Sequence, residues 1–323
     1  RMDAKSRNPV SLILNRGALK RLIEHEGVNL VHARSRAPAW SAYAAAKAAG
    51  VPFVTTYHGA YSGKSGLKKT YNSVMAKGDT IIANSQWIAE HIRTIHDVPV
   101  ERIVTIPRGV DLDAFDPIAI RPSRIEAIRG SMGLTGDERL TVLLPGRLTD
   151  WKGQKVAIEA FGLLSPEERE DLILVLAGDA QGRKGYVAKL EEAIVTQGLD
   201  GGVIISEHIT DMPAAYLASD IVLAPSIRPE AFGRVAAEAS AMGRPVIVTD
   251  HGGGRETVIE GQTGARVEPG NAQSLAGAIR ALVSIGPDAR SGMGRAGRAH
   301  VKAHFSKRGL QAATLGVYKA LLE

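Results

Sequence analysis

The sequence predicts an α/β protein with two doubly wound parallel-sheet domains, and three observations support this prediction. Short apolar segments alternate with longer helix-like segments along most of the 323 residues, which is the pattern of parallel strands joined by helices. The length suits two domains of ordinary size. A glycine-containing break over residues 130–136 separates two such runs.

The first domain is predicted over residues 1–136. Its elements alternate as helix 12–26, strand 30–32, helix 39–49, strand 53–57, helix 67–76, strand 80–83, helix 86–95 and strand 103–106. A doubly wound domain of the Rossmann type has about six strands, and each strand and helix pair takes about 30 residues. Because fewer strands precede the break, we expect the first strands of this domain to be missing from the sequence.

The second domain is predicted over residues 137–305. Its strands are placed at 140–144, 172–177, 203–205 and 221–223, and helices begin near residues 154, 186 and 232. Polar residues and glycines follow several of these strands. In open parallel sheets ligands bind beyond the carboxyl ends of the strands, so we expect a binding site at that edge.

Composition limits the classes of function. The absence of cysteine excludes disulfides and cysteine-based catalysis, and it fits a cytoplasmic protein. Residues 1–136 contain 19 Lys+Arg and 11 Asp+Glu, a net charge of +8, whereas the remainder has a net charge of −2. A basic half can serve nucleic acid, an anionic membrane surface or a phosphorylated acceptor. With aromatic residues at 5% and no nucleic-acid module, we expect no nucleic acid partner.

Two carboxylates mark the candidate site of the second domain. Glu230 follows a strand-like segment that stops at Pro225, and Glu238 lies about a turn and a half inside the next helix. Helical side chains lean toward the helix N-terminus, so both carboxylates face the same loop. Each can accept two parallel hydrogen bonds, which suits the vicinal diol of a sugar or ribose. Taken alone, the pair also fits a solvated first helical turn.

A second motif follows the strand over 140–144. The tight turn from Pro145 to Gly153 contains Arg147 and Lys152 and leads into a helix. The N-terminus of a helix attracts phosphate through its free N–H groups and its dipole, and two cations beside it can neutralise a diphosphate. A solvated helix start is the alternative. No Asp-x-Asp pair lies near this strand end to suggest a divalent metal here.

The segment Glu230-Ala231-Phe232-Gly233, with Glu238 eight positions after the first Glu, resembles the signature of the retaining GT-B glycosyltransferases of family 4. The resemblance implies a GT-B fold, in which two Rossmann-like domains face a cleft. It also implies that Glu230 and the Phe-Gly backbone hold hydroxyls of the donor sugar, while Glu238 holds the nucleotide ribose. Arg234 completes the donor-binding residues expected around this signature.

The same resemblance extends to other segments. Arg147 and Lys152 match the family residues that neutralise the donor diphosphate in place of a metal, so no metal and no cofactor is expected beside a GDP- or UDP-sugar substrate. The segment with His208 and Met212 resembles the loop that reads the guanine or uracil base. The helix within residues 306–323 resembles the segment that crosses back to the first domain.

His58 ends the strand over 53–57, where a lone histidine also fits a capping or core role. Family members place a histidine here that reaches the donor sugar, and an imidazole can donate a hydrogen bond to the sugar or to the leaving phosphate. The following segment, Ser62 to Gly66, contains Gly-Lys-Ser but lacks the P-loop spacing. We expect a glycine-rich loop near the acceptor. There Lys64, Lys68 and Lys69 either favour an anionic acceptor or form a solvated, charged helix start. Asn84-Ser85 is interpreted as a helix N-cap.

Segments 32–40 and 56–61, together with Arg108, are similar to a branch that transfers hexoses, often mannose, onto the inner core of lipopolysaccharide. The resemblance thus implies a metal-independent hexosyltransferase that moves mannose or glucose to a glycan or glycolipid with retention. Its expected catalytic residues are His58, Arg147, Lys152 and Glu230. We expect it in the cytoplasm, with association at the inner face of the membrane left open.

Three alternatives to a glycosyltransferase stay open. A GT-B epimerase or phosphorylase shares the fold but requires acid/base groups or a phosphate site that the sequence does not identify. A dinucleotide oxidoreductase requires a G-x-G-x-x-G motif after a strand, which is not found. A sugar-nucleotide-binding protein of the same fold would bind the donor without turnover.

Overall fold

The computed structural model describes residues 2–3, 6, 8–61 and 66–323. The chain forms two compact units, each built on a parallel sheet. Unit 1 comprises Arg1–Arg108 and Arg308–Glu323, and unit 2 comprises Gly109–Lys307. The predicted fold class of two parallel-sheet α/β domains is therefore confirmed.

In the described part of unit 1, the strands form a four-stranded parallel sheet in the order β1-β2-β3-β4. The strands are β1 Val31–Ala33, β2 Phe53–Tyr57, β3 Thr80–Ala83 and β4 Ile103–Thr105. The helices between and around them are α1 Pro9–His25, α2 Arg36–Ala49, α3 Gly66–Asn72 and α4 Gln86–His96. Because the carboxyl ends of parallel strands meet at one edge, the loops after β1, β2, β3 and β4 lie side by side.

The last helix, α13 (Lys307–Leu322), completes unit 1. Its residues Leu310, Val317 and Leu321 pack against a buried cluster formed by Val54 and Ile82 of the central strands, with Ile106 after β4. Burial of apolar side chains is the main favourable term in folding. The C-terminal helix therefore covers one part of the sheet that the first hundred residues build.

In unit 2, the described strands form a six-stranded parallel sheet in the order β10-β9-β8-β5-β6-β7. Its strands are β5 Leu140–Pro145, β6 Leu172–Ala177, β7 Val203–Ser206, β8 Ile221–Ala224, β9 Val246–Thr249 and β10 Gly264–Val267. Its helices are α5 Pro122–Ser131, α6 Gln154–Gly162, α7 Pro166–Glu170, α8 Lys184–Thr196, α9 Met212–Leu217, α10 Arg234–Ala241, α11 Ala272–Ser284 and α12 Gly286–His304.

The central strands β5 and β6 are buried on both faces, which explains their nearly continuous apolar sequences. Alternate residues face two separate cores. Val142 and Leu174 belong to one apolar cluster, whereas Leu143 and Val175 belong to the other. The order of the strands reverses next to β5, between β8 and β6, which is where such sheets bind ligands.

Residues 109–136 belong to unit 2, although the sequence analysis placed them in the first domain. The reason is their packing: Met132 and Leu134 are fully buried in the core of unit 2. The Arg124 guanidinium also forms two hydrogen bonds with the Asp211 carboxylate, at 2.9 and 2.8 Å. The glycines that suggested a linker end α5 instead, since Gly133 has a φ of +80°.

Among the described residues, no helix combines the length and the apolar composition needed to span a membrane. The segment Ser62 to Ser65, which contains Lys64 and the whole Gly-Lys-Ser motif, lies outside the described residues. The same holds for Arg1, Ala4, Lys5 and Arg7 near the start of the sequence.

Candidate active site

The first part of the candidate site is the turn that follows β5 in unit 2. This turn is hydrogen-bonded to the end of β6 and to the residues that follow it. Gly146 N donates to Ala177 O at 2.9 Å, and Leu148 N donates to Asp179 O at 3.1 Å. Arg147 is exposed at this turn, and the buried Gln154 side chain donates to its carbonyl oxygen at 3.0 Å. The backbone of Arg147 is therefore fixed, while its guanidinium remains accessible.

Gly153 connects this turn to α6 and fixes its distance from the loop after β8. Its φ is +84°, and a Cβ atom would lie 2.9 Å from the carbonyl carbon of Pro225 and closer still to the oxygen. Only glycine tolerates both the left-handed conformation and this approach. The Ile227 N donates to Trp151 O at 2.8 Å across the same gap. The two strand-end loops are thus joined through their backbones.

As a result, two of the predicted residues come into direct contact. Lys152 Nζ lies 2.7 Å from Glu230 Oε1, with side chains only 14% and 21% exposed. The Ser226 hydroxyl donates to the same carboxylate oxygen. Lys152 Nζ also lies 4.6 Å from the centroid of the Trp151 ring, a favourable position for a cation. A charge-assisted pair of this kind orders both side chains.

Glycines fix the backbone of Glu230. Gly253 N donates to Glu230 O at 2.7 Å, and Gly252 has a φ of +63°. A Cβ atom on Gly252 would lie 2.7 Å from Glu230 O. Similarly, a Cβ atom on Gly233 would lie 2.8 Å from Thr257 Oγ1. These close approaches give Gly233 and the glycines after β9 a structural role.

The remaining residues of the signature differ in exposure. Phe232 is 7% exposed and packs edge-on against Phe305, with ring centroids 5.7 Å apart. Its side chain therefore anchors the start of α10 in the core. Ala231 is half-buried and Arg234 is exposed at the first turn of that helix.

Glu238 lies inside α10 and is half-buried. The Tyr216 hydroxyl donates to Glu238 Oε2 at 3.2 Å. Burial raises the pKa of Tyr216 well above its usual value, and the Glu238 carboxylate raises this pKa further. The phenol therefore stays protonated and remains a donor. The sequence analysis missed Tyr216, because nothing in the Met-Pro-Ala-Ala-Tyr-Leu sequence of α9 indicates which carboxylate it meets.

The predicted base-recognition segment lies between β7 and α9. His208 is exposed in this loop. Met212 is half-buried and packs against the apolar core of unit 2. The Asp211 side chain caps α9 by accepting a hydrogen bond from Ala214 N at 3.2 Å, so the loop leads directly into a fixed helix.

In unit 1, His58 follows the last residue of β2. Arg34, which follows β1, donates through Nε to His58 Nε2 at 3.3 Å. His58 is half-buried and Arg34 is exposed. A ring nitrogen that accepts from an arginine is unprotonated, so this contact favours the neutral imidazole with its proton on Nδ1.

A cavity of about 470 Å³ lies beside His58, between the strand ends of unit 1 and α13. Its polar and apolar walls come from the strand ends and from the helix. The residues from the strand ends are His32, Arg34, Thr56, His58, Ile82, Asn84, Ile106 and Arg108, and those from α13 are Leu310, Gln311, Thr314, Leu315 and Tyr318.

His32 joins the two walls of this cavity. Its Nδ1 lies 2.6 Å from the Tyr318 hydroxyl and its Nε2 lies 2.7 Å from Thr56 Oγ1. Burial lowers the pKa of His32 to about 4, and the nearby Arg34 charge contributes to this lowering. The imidazole is therefore neutral at pH 7, and it connects α13 to the central strand β2.

Asn84 and Ser85 have different roles, although both were interpreted as parts of one cap. The Ser85 hydroxyl caps α4 by accepting from Ile88 N at 3.0 Å. Asn84 is 2% exposed, and within the described chain neither its amide nitrogen nor its amide oxygen has a hydrogen-bond partner. A buried amide without partners is costly, since its desolvation is not offset. Asn84 was not predicted as a site residue.

The described residues contain no cluster of three or more His, Asp or Glu side chains arranged to hold a metal ion.

Two parallel-sheet α/β domains, each with polar residues at the carboxyl edge of its sheet, define a protein of the GT-B class. The model of the family described as glycosyl transferases group 1 matches residues 127–300. The model of a second family, described as glycosyltransferase family 4, matches residues 4–114. The chain therefore belongs to the group 1 glycosyltransferases.

Two solved structures are similar over nearly the whole chain. A glycosyltransferase from Rickettsia africae ESF-5 is 34% identical, with a TM-score of 0.91 over 100% of this chain and 84% of that one. Anabaena HepE, in a crystal structure with UDP-glucose, is 25% identical, with a TM-score of 0.82 over 97% of this chain and 84% of that one.

Curated relatives are similar over a shorter part of their own length. The D-inositol 3-phosphate glycosyltransferase of Xylanimonas cellulosilytica is 33% identical over 76% of this chain and 58% of that protein. The protein of the same name from Arthrobacter sp. FB24 is 30% identical over 75% of this chain and 56% of that protein. The chain thus spans less than two thirds of these relatives, and their names do not single out the lipopolysaccharide-core branch.

Proposed function

We propose that this chain transfers a hexose from a nucleotide-diphosphate sugar to a hydroxyl of an acceptor, with retention at the anomeric carbon. The observation that carries the proposal is the contact between Lys152, after β5, and Glu230, after β8, with Glu238 on the helix that follows. These elements adjoin the point where the strand order of unit 2 reverses. Such a position supports a ligand with phosphates and hydroxyls.

In this proposal, the donor diphosphate binds at the N-terminus of α6. The exposed Arg147 and the half-buried Lys152 supply two cations there. Charge-assisted hydrogen bonds contribute about 1.5 to 3 kcal/mol each. The Lys152 ammonium has three donors, so it can contact a phosphate oxygen while it still orients Glu230.

The two glutamates would bind the hydroxyls of the donor. Glu230 accepts from Lys152 and Ser226 through one carboxylate oxygen, Oε1. Its other oxygen can then accept hydrogen bonds from the sugar. Glu238 accepts a hydrogen bond from Tyr216, and its carboxylate is the group we assign to the ribose diol. We also propose that His208, Met212 and Arg234 contribute to donor binding.

For the reaction, we propose a same-face displacement. The bond between the anomeric carbon and the diphosphate oxygen breaks, and the acceptor oxygen forms its bond on the same side. The leaving diphosphate takes the proton of the acceptor hydroxyl. Arg147 and Lys152 stabilise the charge that develops on the diphosphate.

UDP-glucose is the first donor to test, because Anabaena HepE was crystallised with it. GDP-mannose is the second, given the sequence resemblance to mannosyltransferases. For the acceptor, the names of the curated relatives favour an inositol phosphate, whereas the segments around His32, His58 and Arg108 resemble the lipopolysaccharide-core branch. Both acceptor classes belong in the assay.

The experiment is calorimetric titration with UDP-glucose, GDP-mannose, UDP-N-acetylglucosamine and NAD, followed by a transfer assay with the donor that binds. Lys152→Ala and Glu238→Gln are expected to weaken donor binding. Lys155→Ala is the matched control, because Lys155 lies on the first turn of α6 but its side chain is 64% exposed. Donor binding without transfer would favour a sugar-nucleotide-binding protein, and NAD binding alone would contradict the proposal.

A further inference from the structure

We propose that unit 2 carries a second anion site, separate from the proposed donor site, and that this site binds a phosphate group. It lies at the amino edge of the six-stranded sheet, in a pocket whose lining includes Arg244, Arg290 and Arg295. The site does not depend on the proposed transfer, because none of these residues belongs to the donor site.

The pocket lies at the edge of the sheet opposite to Lys152 and Glu230. Its volume is about 300 Å³. Asp220 and Arg244, two of its lining residues, come just before β8 and β9, whereas Glu230 comes after β8. Parallel strands have their amino ends at one edge of the sheet and their carboxyl ends at the other. A ligand in this pocket and a nucleotide sugar at the donor site can therefore be bound at the same time.

Close packing of α12 brings the arginines together. A Cβ atom on Gly294 of α12 would lie 2.7 Å from the carbonyl carbon of Gly243, in the turn after α10, and closer still to its oxygen. Arg244 belongs to this turn, while Arg290 and Arg295 lie on α12 before and after Gly294. By helical geometry, positions 290, 294 and 295 fall within an arc of about 140°. Arginines from two elements thus line one pocket.

The charge around the pocket is positive. Four arginines line it, the fourth being Arg298, and Asp220 is the only carboxylate among its described lining residues. Asp116 pairs with Arg298 at 2.8 Å, so four positive and two negative charges leave a net charge of +2. The whole segment 137–323, in contrast, has a net charge of −2. A concave site with one predominant sign of charge attracts ligands of the opposite sign.

Arg244 is an independent indication of a ligand, because one of its donors is buried without a partner. Its Nη2 donates to Leu217 O at 3.1 Å, but its Nε is buried and has no hydrogen-bond partner among the described residues. Burial lowers the pKa of Arg244, although the Asp220 charge acts in the opposite direction. A buried donor without a partner is costly. An anionic oxygen in the pocket would supply the missing acceptor.

The other two arginines differ in how firmly they are held. Arg290 Nη1 donates to Leu282 O at 3.2 Å and to Val283 O at 2.9 Å, which fixes its guanidinium at the end of α11. Its second terminal nitrogen is available for a ligand. Arg295 is exposed, and its Nη1 donates to Ser291 Oγ at 2.8 Å. Arg290 is therefore preorganised, whereas Arg295 can turn toward a bound anion.

Guanidinium chemistry and the size of the pocket favour a phosphate group on a small molecule. The planar guanidinium makes bidentate hydrogen bonds to phosphate oxygens, and three of them can contact a tetrahedral group from several directions. A volume of about 300 Å³ is at the lower end for small-ligand pockets. The structure describes all of α12, and no large apolar side chain is exposed on it. Because such side chains enter a bilayer, a soluble phosphate is favoured over a lipid headgroup.

The test is calorimetric titration of the whole chain, at low salt, with inorganic phosphate and with malonate, a dicarboxylate of similar charge. We expect phosphate to bind more tightly. Arg290→Gln and Arg295→Gln are each expected to weaken phosphate binding about tenfold, because each removes a charge-assisted contact. Lys302→Gln is the matched control, since Lys302 is exposed on the same helix and does not line the pocket.

Two further variants separate this pocket from other anion sites. Ser291→Trp adds bulk at an exposed position of the lining without removing a charge. It is expected to abolish phosphate binding even if an arginine variant is unstable. The same titrations in a Lys152→Ala background remove a cation of the proposed donor site, and the pocket is expected to keep its affinity there. Thermal unfolding of every variant checks that the protein is folded.

Vesicles distinguish the sources of the phosphate. Sedimentation with phosphatidylcholine vesicles, with and without phosphatidic acid, measures binding to a lipid headgroup. Binding to phosphatidic acid that Arg295→Gln abolishes would assign the phosphate to a lipid, and binding of free phosphate alone assigns it to a soluble molecule.

The inference is overturned if phosphate does not bind, if malonate binds as tightly, or if Arg295→Gln and Ser291→Trp leave phosphate binding unchanged. Titration with nucleotide sugars is scored separately. Phosphate binding in this pocket without nucleotide-sugar binding would refute the proposed transfer and leave the second anion site in place.

Discussion

The strand-end residues of the two units are held in different ways. In unit 2, the charges of Lys152 and Glu230 compensate each other at 2.7 Å, and glycine contacts fix the surrounding backbone. In unit 1, Arg34 and Arg108 line a cavity that has no carboxylate among its described lining residues. The unit 2 site therefore pairs opposite charges, whereas the described lining of the unit 1 cavity contributes arginines without a carboxylate.

The largest effect on this difference is expected from replacing Gly153, the glycine at the turn of unit 2. Gly153→Ala is expected to lower the free energy of unfolding by about 3 kcal/mol or more, because a left-handed alanine costs about 1 to 2 kcal/mol and its Cβ would also collide with the Pro225 carbonyl group. The measurement is denaturant unfolding. Gly136→Ala is the matched control, since Gly136 has a φ of +71° and open space around it; an equal loss in both variants would contradict the close approach.

The next test removes the ion pair of unit 2. Lys152→Met is expected to weaken donor binding about ten- to hundredfold, which corresponds to the loss of one charge-assisted hydrogen bond of about 1.5 to 3 kcal/mol. Calorimetry with the donor measures the change. Glu230→Gln and the double variant complete a double-mutant cycle, and purely additive effects would show that the two side chains act independently.

A smaller effect is expected from the hydrogen bond of Tyr216. Tyr216→Phe removes the hydroxyl that donates to Glu238 and leaves the buried ring in place. We expect nucleoside diphosphate affinity to fall about three- to tenfold, equivalent to about 1 kcal/mol, because Glu238 loses its orientation. Affinity equal to that of the parent chain, measured by calorimetry, would show that Glu238 needs no such support.

The smallest effect concerns pH and unit 1. The pKa of His32 is lowered to about 4 in the folded chain from 6.5, so the unfolded state binds more protons between these values. The stabilising contribution is complete above pH 6.5 and is lost as the pH falls toward 4. We expect this contribution to the free energy of unfolding to be about 1 kcal/mol after allowance for solvent screening. His32→Gln should flatten this part of the profile in denaturant unfolding, and an unchanged slope would assign it to other groups.

The sequence indicated more of the candidate site in unit 2 than of the cavity in unit 1, and the reason is physical. Lys152, Glu230 and Glu238 occur in motifs where local spacing, turns and helix starts already limit where the side chains lie. Even there, the Lys152–Glu230 contact depends on the pairing of distant strands, and the donor from Tyr216 depends on how α9 packs. The alternation of elements was sufficient to predict the parallel sheets, but not to assign residues 109–136 to unit 2.

The cavity of unit 1 could not be found in the same way. Its residues come from four strand ends and from a helix more than 200 residues later in the chain; His32 and Tyr318, for example, are separated by 286 positions. Asn84 looked like a cap residue because its neighbour Ser85 is one. Only the fold shows that the buried amide lines a cavity together with Arg34 and Arg108.

The discontinuity of unit 1 also has a consequence for synthesis on the ribosome. Unit 2 is continuous over Gly109–Lys307, whereas unit 1 needs Arg308–Glu323 to cover its sheet. Domains generally fold as units while the chain emerges. The unit that begins first is thus the one completed last, and until α13 arrives Val54, Ile82 and Ile106 lack their apolar cover. A nascent chain stalled just before α13 is therefore expected to expose these three side chains.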